Sequence, residues 1–230
     1  MKKIALIILT FNTEEDTHIC LDSLTKSSLP QELFTTIIVD NCSNNVFTLT
    51  KEEKKRDIIV LRQEKNLGFT GGNNVGMKYA LAHTDAEYIV PLNNDTIVEK
   101  HMLTNLLAAC ESNKKIGLAV PKIYFAKGHE FHKDRYKKDE LGKVFWYAGG
   151  VIDWANMYTS HRGVDEVDHG QYDTMEETPF ATGCCMFIRR EVLETVGLFD
   201  NRYFLYSEDA DLNERIKRAG YKVMYIPQAI

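Results

Sequence analysis

No segment of this sequence runs to membrane length. The longest apolar stretches, such as Ile4 to Leu9, are strand-sized, far short of the roughly 20 residues a helix needs to cross a bilayer. Met1-Lys2-Lys3 ahead of that stretch imitates a secretion leader. The run is too short for one, lacks a small-residue cleavage site, and leads into Thr10-Phe11-Asn12 and a polar helical pattern. It reads as a first buried strand. Paired cysteine motifs are also missing. Cys20, Cys42, Cys110, Cys184 and Cys185 are odd in number and contain no C-x-x-C. That argues against a zinc knuckle or a disulfide framework, suits a reducing compartment, and leaves most of the thiols as small core residues. Positive charge is scarce: 28 Lys and Arg face 33 Asp and Glu, a net of −5. A nucleic-acid binder normally shows the opposite balance. A nucleotide substrate stays open, because one phosphate site needs only local chemistry. There is no internal repeat and no low-complexity segment.

What is present is ordinary for a globular protein. The 230 residues suit one large α/β domain or two small ones. Apolar content of 44% and charged content of 27% rule out wholesale disorder.

The first half alternates strand and helix. Ile4–Thr10 suits a strand buried on both faces. Asn12 or Thr13 can cap the next helix, with Glu14, Glu15 and Asp16 in its first turn. Further strands are expected at 37–39, 58–61, 88–92 and 116–120, and helices at 71–82 and 101–110. Such alternation implies a mostly parallel sheet with right-handed crossovers. Ligands in these sheets bind beyond the carboxyl ends of the strands. Thr10-Phe11-Asn12, Asp40-Asn41 and Asn93-Asn94-Asp95 all fall at such ends. Residues 126–178 are polar and irregular, an excursion from the sheet. A strand over 180–188, a short helix over 190–196, a helix over 209–219 and a last strand over 221–226 complete the pattern.

Four features could carry chemistry, and each has a plainer reading. Asn93-Asn94-Asp95 is a strand feeding an acidic turn, able to present Asp95 to Mg²⁺ or Mn²⁺ held against a diphosphate. Alone, it is better read as a helix-capping turn. Asn66 to Gly76 holds four glycines, Gly68, Gly71, Gly72 and Gly76, that would let backbone approach a ligand at a helix N-terminus. It is neither a Walker loop nor a G-x-G-x-x-G turn, and a flexible connection is the alternative. Asp40 can accept the N3–H of uracil or thymine, or simply cap a turn. Tyr206-Ser207-Glu208-Asp209-Ala210-Asp211 crowds three carboxylates at a helix start. Glu208 and Asp209 could serve as general base, a neighbour raising the pKa, or could merely complement the helix dipole. Gly128-His129-Glu130-Phe131-His132 is one residue short of a zinc-protease motif and reads as surface. Asn41-Cys42-Ser43 has glycosylation spacing, which a cytoplasmic protein would not use.

In order along the chain, Thr-Phe-Asn, Val-Asp-Asn-Cys-Ser, Asn-Leu-Gly-Phe-Thr-Gly-Gly-Asn-Asn-Val-Gly, Leu-Asn-Asn-Asp-Thr and Glu-Asp-Ala-Asp-Leu resemble family-2 glycosyltransferases of the GT-A fold. The similarity is closest to the rhamnosyltransferase-like branch. Thr182 to Arg190, Val196 to Asp200 and Arg218 to Tyr221 extend it over nearly the whole chain. No single motif is specific; the ordered set is.

The resemblance implies a single GT-A domain over 1–230, with a nucleotide-sugar half at 1–120 and an acceptor and catalytic half at 121–230. It implies an inverting, metal-dependent transfer from a nucleotide-sugar donor, dTDP-rhamnose or a UDP-sugar, to a glycan or lipid-linked acceptor. This would build cell-surface polysaccharide from the cytoplasm or the inner face of a membrane. Thr10, Phe11, Asn12 and Asp40 would hold base and ribose, and Asn66, Gly71 and Asn73 would shape the donor pocket. Asn93, Asn94 and Asp95 stand at the family's Asp-x-Asp motif, so the cation would rest mainly on Asp95. Asp209 would be the base, with Glu208 beside it. Thr182, Gly183 and Trp154 would face the acceptor, Trp154 as a stacking platform or else a core aromatic. Members of the branch carry a histidine shortly after Pro-x-Ala. This chain stops at Ile226-Pro227-Gln228-Ala229-Ile230, so either a C-terminal truncation is expected or the protein does without that ligand. Two rivals are a sugar-phosphate nucleotidyltransferase, disfavoured because no Gly-rich basic loop follows the first strand, and a non-catalytic nucleotide-sugar-binding domain.

Overall fold

A computed structural model describes residues 3–230; Met1 and Lys2 of the leader-like start lie outside them. The chain begins β1 (Ile4–Thr10), α1 (Glu14–Thr25), β2 (Phe34–Asp40), β3 (Ile58–Arg62), α2 (Gly68–His83), β4 (Tyr88–Asn93), α3 (Met102–Ser112) and β5 (Ile116–Pro121). Short strands follow: β6 (Ile123–Tyr124), β7 (Phe145–Tyr147), β8 (Gly150–Asp153), β9 (Tyr158–His161), β10 (Glu176–Glu177) and β11 (Phe187–Arg189). The chain closes with α4 (Arg190–Val196), α5 (Glu208–Arg218) and β12 (Lys222–Ile226).

Eight strands form one sheet in the order β10-β12-β5-β11-β4-β1-β2-β3. The pairs β1–β2, β1–β4, β2–β3 and β5–β12 are parallel. β11 enters antiparallel between β4 and β5, so strands from both halves of the chain share the sheet. Strand residues point alternately to opposite faces, and β1 shows the consequence. Ile4, Leu6 and Ile8 join one core with Leu21, Leu24 and Leu106. Ala5 and Ile7 join the other with Met77, Leu212 and Ile216. Helices therefore cover both faces, and β1 is apolar at nearly every position because neither face meets water.

The register sets up the site. Thr10 lies beside Asp40, Asp40 beside Arg62, and Leu9 beside Asn93. The ends of four strands thus meet along one edge of the sheet.

Several expectations change. Thr13 is the N-cap residue of α1, but its side chain makes no capping bond. The strand expected over 180–188 shrinks to Phe187–Arg189 plus a single bridge from Cys185 to Leu92. The preceding residues bond to α5 and to the end of β4 instead of to a ladder. The excursion at 126–178 is more ordered than expected: β6 pairs with β7, and β8 with β9 in a hairpin. Helix α2 starts three residues early, at Gly68, whose φ of +72° glycine adopts without strain. The glycines expected to approach a ligand mostly serve packing. A Cβ on Gly72 would lie 2.3 Å from Leu9, and one on Gly76 2.3 Å from Ile7. These two glycines let α2 settle onto β1.

Four cysteines are buried and Cys42 half-buried, all as free thiols. Glu130 is not surface: its oxygens accept the amides of Gly128 and Gly142. No described helix is long and apolar enough to cross a membrane.

Candidate active site

At the β1 end, a cavity of about 320 Å³ is lined by Thr10, Asn12, Glu14, Ser43, Asn44, Asn45 and Phe47. A depression of about 360 Å³ along residues 128–135 holds none of the expected site residues. The first cavity is framed by two loops that bond to each other. Asn12, at φ +59°, donates its amide to Ser43 Oγ (3.0 Å) and accepts the amide of Asn44 on its own Oδ1 (2.7 Å). Phe11, between Thr10 and Asn12, is exposed and is not among the lining residues.

Asp40 stands at the expected edge but faces inward. Its side chain is completely buried. Oδ1 accepts the Ser43 amide (2.9 Å), while Oδ2 accepts the Phe47 amide (2.9 Å) and Arg62 Nη1 (2.6 Å). Burial pushes the pKa up, but the Phe47 and Ser43 amides and Arg62 outweigh it and hold it below the usual carboxylate value. The carboxylate therefore ties down the cavity's 43–47 wall, in place of the expected contact to a base. Asn41 fixes the next turn: its amide donates to Asn66 Oδ1 (2.9 Å) and Gly68 O (3.1 Å), and its Oδ1 accepts the Leu67 amide (3.0 Å). Buried in this way, Asn41 is shut away from glycosylation.

The Asn93–Asp95 turn is wired to β1 and α1. Asn94 Nδ2 donates to Thr13 Oγ1 (2.6 Å) and Thr17 Oγ1 (2.9 Å), and Thr17 donates to Thr10 Oγ1 (2.9 Å). Asp95 is exposed and makes no hydrogen bond or ion pair with described residues. No described cluster of three or more His, Cys, Asp or Glu forms a metal cage. One carboxylate beside two amides suits a hard cation that draws its remaining oxygens from water and a diphosphate. The residues fit a cation shared with substrate, and do not fit a protein-only site.

The same edge receives α5. The Asn93 amide donates to Cys184 O (2.8 Å), and one residue earlier the Gly183 amide donates to Asp209 Oδ2 (3.0 Å). Residues 183–184 therefore connect the Asn93 turn to the helix carrying the acidic pair. Asp209 is half-buried, and its Oδ1 accepts the Ala210 amide (2.8 Å). Glu208 is only 4% exposed, and its Oε2 has no hydrogen-bond partner. Burial drives its pKa up to about 7; its own backbone amide pulls the other way, and the charge of Asp209 adds to the rise. Tyr206 and Ser207, just before it, sit at φ +71° and +69°. Non-glycine residues rarely adopt that region. Thr182 is buried, its Oγ1 3.4 Å from the Cys184 amide.

Other expected residues bond within the chain or stand in solvent. Asn73 is buried and donates to Phe69 O of its own helix (3.0 Å). The nearest atom to a Cβ on Gly71 would be Leu67 Cβ. Asn66 is exposed and accepts the Gly68 amide (2.8 Å) as well as Asn41. Trp154, 58% exposed at the tip of the β8–β9 hairpin, is not a core aromatic. No hydrogen bond or ring contact among the described residues joins it to the acidic pair.

Sequence reasoning missed Arg62, Asn74 and Asn213. Arg62 could be found only through strand register. Asn74 Nδ2 donates to Phe199 O (2.8 Å) and Asn201 Oδ1 (2.8 Å), and its Oδ1 accepts the Phe199 amide (3.1 Å). It anchors the loop leading to Glu208. Asn213 carried one signal: it lies four residues after Asp209, on the same helix face.

Residues 5–197 match glycosyl transferase family 2. Over 220 residues the chain is 23% identical to the low-salt glycan biosynthesis hexosyltransferase Agl10 of Haloferax volcanii, covering 96% of this chain and 63% of that protein. A 48-residue stretch is 46% identical to the N-acetylglucosaminyl-diphospho-decaprenol L-rhamnosyltransferase of Mycobacterium tuberculosis, 21% of this chain and 16% of that one. The crystal structure of GalNAc-T7 with UDP, GalNAc and Mn²⁺ superposes with a TM-score of 0.76 at 17% identity, over 99% of this chain and 42% of that chain. The chain thus spans less than two thirds of each of these proteins. The shared sheet is that of GT-A glycosyltransferases, as the ordered motifs implied. By its match over most of its length, this chain belongs to glycosyl transferase family 2.

Proposed function

We propose that this single GT-A domain transfers a sugar from a nucleotide diphosphate donor to a hydroxyl of a glycan or lipid-linked acceptor, with inversion. One observation carries the reading: Asn93 and Asp209 reach the same two-residue segment, Gly183-Cys184. Groups that would hold a diphosphate and a group that would take a proton are thereby fixed on one edge. The cavity beside Thr10 and Ser43 is large enough for a nucleoside. The relatives support the class of partners, since one is named for a lipid diphosphate acceptor and another was crystallised with UDP and Mn²⁺.

Asp209 accepts the proton of the attacking acceptor hydroxyl. The acceptor oxygen bonds the anomeric carbon as the bond from that carbon to the β-phosphate oxygen breaks. The nucleoside diphosphate leaves from the opposite face. A single displacement inverts the centre and needs no covalent sugar–enzyme intermediate. Gly183 holds Asp209 in place, and Glu208 stands beside it as a helper. Asp95, with Asn93 and Asn94 beside it, would hold Mg²⁺ or Mn²⁺. When bound, such an ion offsets the negative charge growing on the leaving diphosphate.

The test is a thermal-shift screen of UDP-, dTDP- and GDP-sugars with and without Mn²⁺, followed by product analysis with any stabilising donor. A ligand of the native state must raise the melting temperature. The expected result is a cation-dependent shift with a pyrimidine diphosphate sugar. No shift with any of them would overturn the proposal.

A further inference from the structure

Asn213 is completely buried in the second turn of α5. Its Oδ1 accepts the Ala181 amide (3.0 Å), and its Nδ2 donates back to Ala181 O (2.9 Å). The side chain thus pairs with one residue of the 181–183 segment as a neighbouring strand would. The same Nδ2 donates to Asp209 O (2.7 Å), one turn earlier in its own helix. Two residues beyond Ala181, the Gly183 amide reaches Asp209 Oδ2 (3.0 Å). The bonds close a ring: Asp209, Asn213, Ala181, Gly183 and back to Asp209.

Within that ring Gly183 is the only group from outside α5 that bonds the Asp209 carboxylate among the described residues; the other contact is the amide of Ala210. Cys184 O and the Met186 amide bond to β4 at Asn93 and Pro91, but the Gly183 amide turns to α5, so its height against that helix is set from both sides, by β4 and by Asn213. Buried amide groups left unpaired are costly, which makes a doubly bonded asparagine a stiff spacer. Resting on the transferase reading, we propose that Asn213 is a positioning residue. It holds Gly183 at the distance that aims Asp209 Oδ2, and so sets the rate of transfer without touching donor or acceptor.

The test compares wild type with Asn213→Ala and Asn213→Gln. Three readouts are taken: kcat and KM for a donor that wild type uses, UDP affinity by calorimetry, and hydrogen exchange at the Gly183 amide. Asn213→Ala should lower kcat about tenfold to a hundredfold, the range for a small misplacement of a reacting group, with UDP affinity within about twofold. Exchange at Gly183 should quicken while core amides stay protected. Asn213→Gln keeps both amide functions on a longer stem and should recover part of kcat. Unchanged kcat and unchanged Gly183 exchange in folded Asn213→Ala would overturn the proposal. So would loss of UDP binding in both variants, which would make Asn213 a fold element only. If wild type itself transfers nothing, the transferase reading fails separately, and Gly183 exchange still decides whether the clamp exists.

Discussion

Glu208 and Asp209 are adjacent in the chain and open the same helix, yet their carboxyl groups meet opposite surroundings. Glu208 is buried with one oxygen that bonds nothing, while Asp209 is half-buried and both its oxygens accept backbone amides. Desolvation penalises the charged form of the first, while two backbone amides fix the orientation of the second. One of two neighbouring acids is thus held by burial and the other by backbone donors, which suits them to different tasks.

The buried acid should be visible in stability. Its pKa rises from 4.5 in the unfolded chain to about 7. Between those values the native state keeps a proton that the unfolded state has lost. Stability should therefore fall as pH rises from about 4.5 to about 7 and level off above. The whole difference is worth roughly 3 kcal/mol. Glu208→Gln removes the titration and should melt higher than wild type at pH 8, with a flatter profile. Parallel melting curves for the two proteins across this range would show that the carboxyl ionises freely.

Asp209→Asn separates placement from proton transfer. The amide oxygen can still accept from Gly183, so the local structure should survive. Turnover should drop by about 10²–10⁴-fold, the usual contribution of a positioned base, with UDP affinity and melting temperature little changed. Transfer at the wild-type rate would remove Asp209 from the mechanism.

Much of this arrangement was legible in the sequence. Ile4–Thr10 is apolar at almost every position because β1 is covered on both faces, and residues at strand ends announce a ligand edge. The acidic pair was legible as a pair, though only its surroundings distinguish the two roles. What was hidden depends on residues far apart in the chain. Asp40 looked like a group waiting for a base; Arg62, 22 residues later, and the Phe47 amide occupy it. Asn213 acts through Ala181, 32 residues earlier. A glycine's spacing does not say what lies opposite it, so Gly72 and Gly76 could not be told from ligand-facing glycines.

That last distinction can be measured. Gly72→Ala places a methyl 2.3 Å from Leu9 Cδ1. Overpacking of this kind costs about 1–3 kcal/mol, and the helix preference of alanine over glycine returns less than 1 kcal/mol. The variant should unfold at lower urea, with turnover per folded molecule unchanged. Adding Leu9→Val should restore part of the loss. A variant as stable as wild type but defective in donor binding would instead put Gly72 on the ligand.

The Asp40–Arg62 pair offers a prediction about acid. The native pKa of Asp40 lies below its unfolded value of 3.8. Its contribution is thus present above that value and lost as pH falls through the native one. Arg62→Ala leaves the carboxylate buried with two amides and no cation. Arg62 is 36% exposed, so solvent screening reduces the loss below that of a fully buried pair, to about 1–3 kcal/mol at pH 7. The acid transition should begin at higher pH than in wild type, and UDP should bind more weakly as the 43–47 wall loosens. An unchanged acid transition would mean that the amides alone hold the charge.

Asp95 tests the shared-cation reading most directly. It is the only carboxylate of the Asn93–Asp95 turn, and no described cage of acidic or imidazole ligands backs it up. A cation placed there must take its other oxygens from the diphosphate and water. Mn²⁺ and UDP should accordingly bind cooperatively: each weak alone, both tighter together. In Asp95→Asn, UDP affinity in EDTA should match wild type, because the cavity beside Thr10 and Ser43 is untouched. The gain on adding Mn²⁺ should shrink by roughly tenfold or more, as expected when a ligand is lost from a metal site. Titration of UDP into both proteins, with Mn²⁺ and with EDTA, gives the four affinities needed. If the Mn²⁺ gain survives intact in Asp95→Asn, the ion is held elsewhere. If wild type shows no gain at all, transfer by this domain must rely on the protein's own donors to stabilise the leaving group.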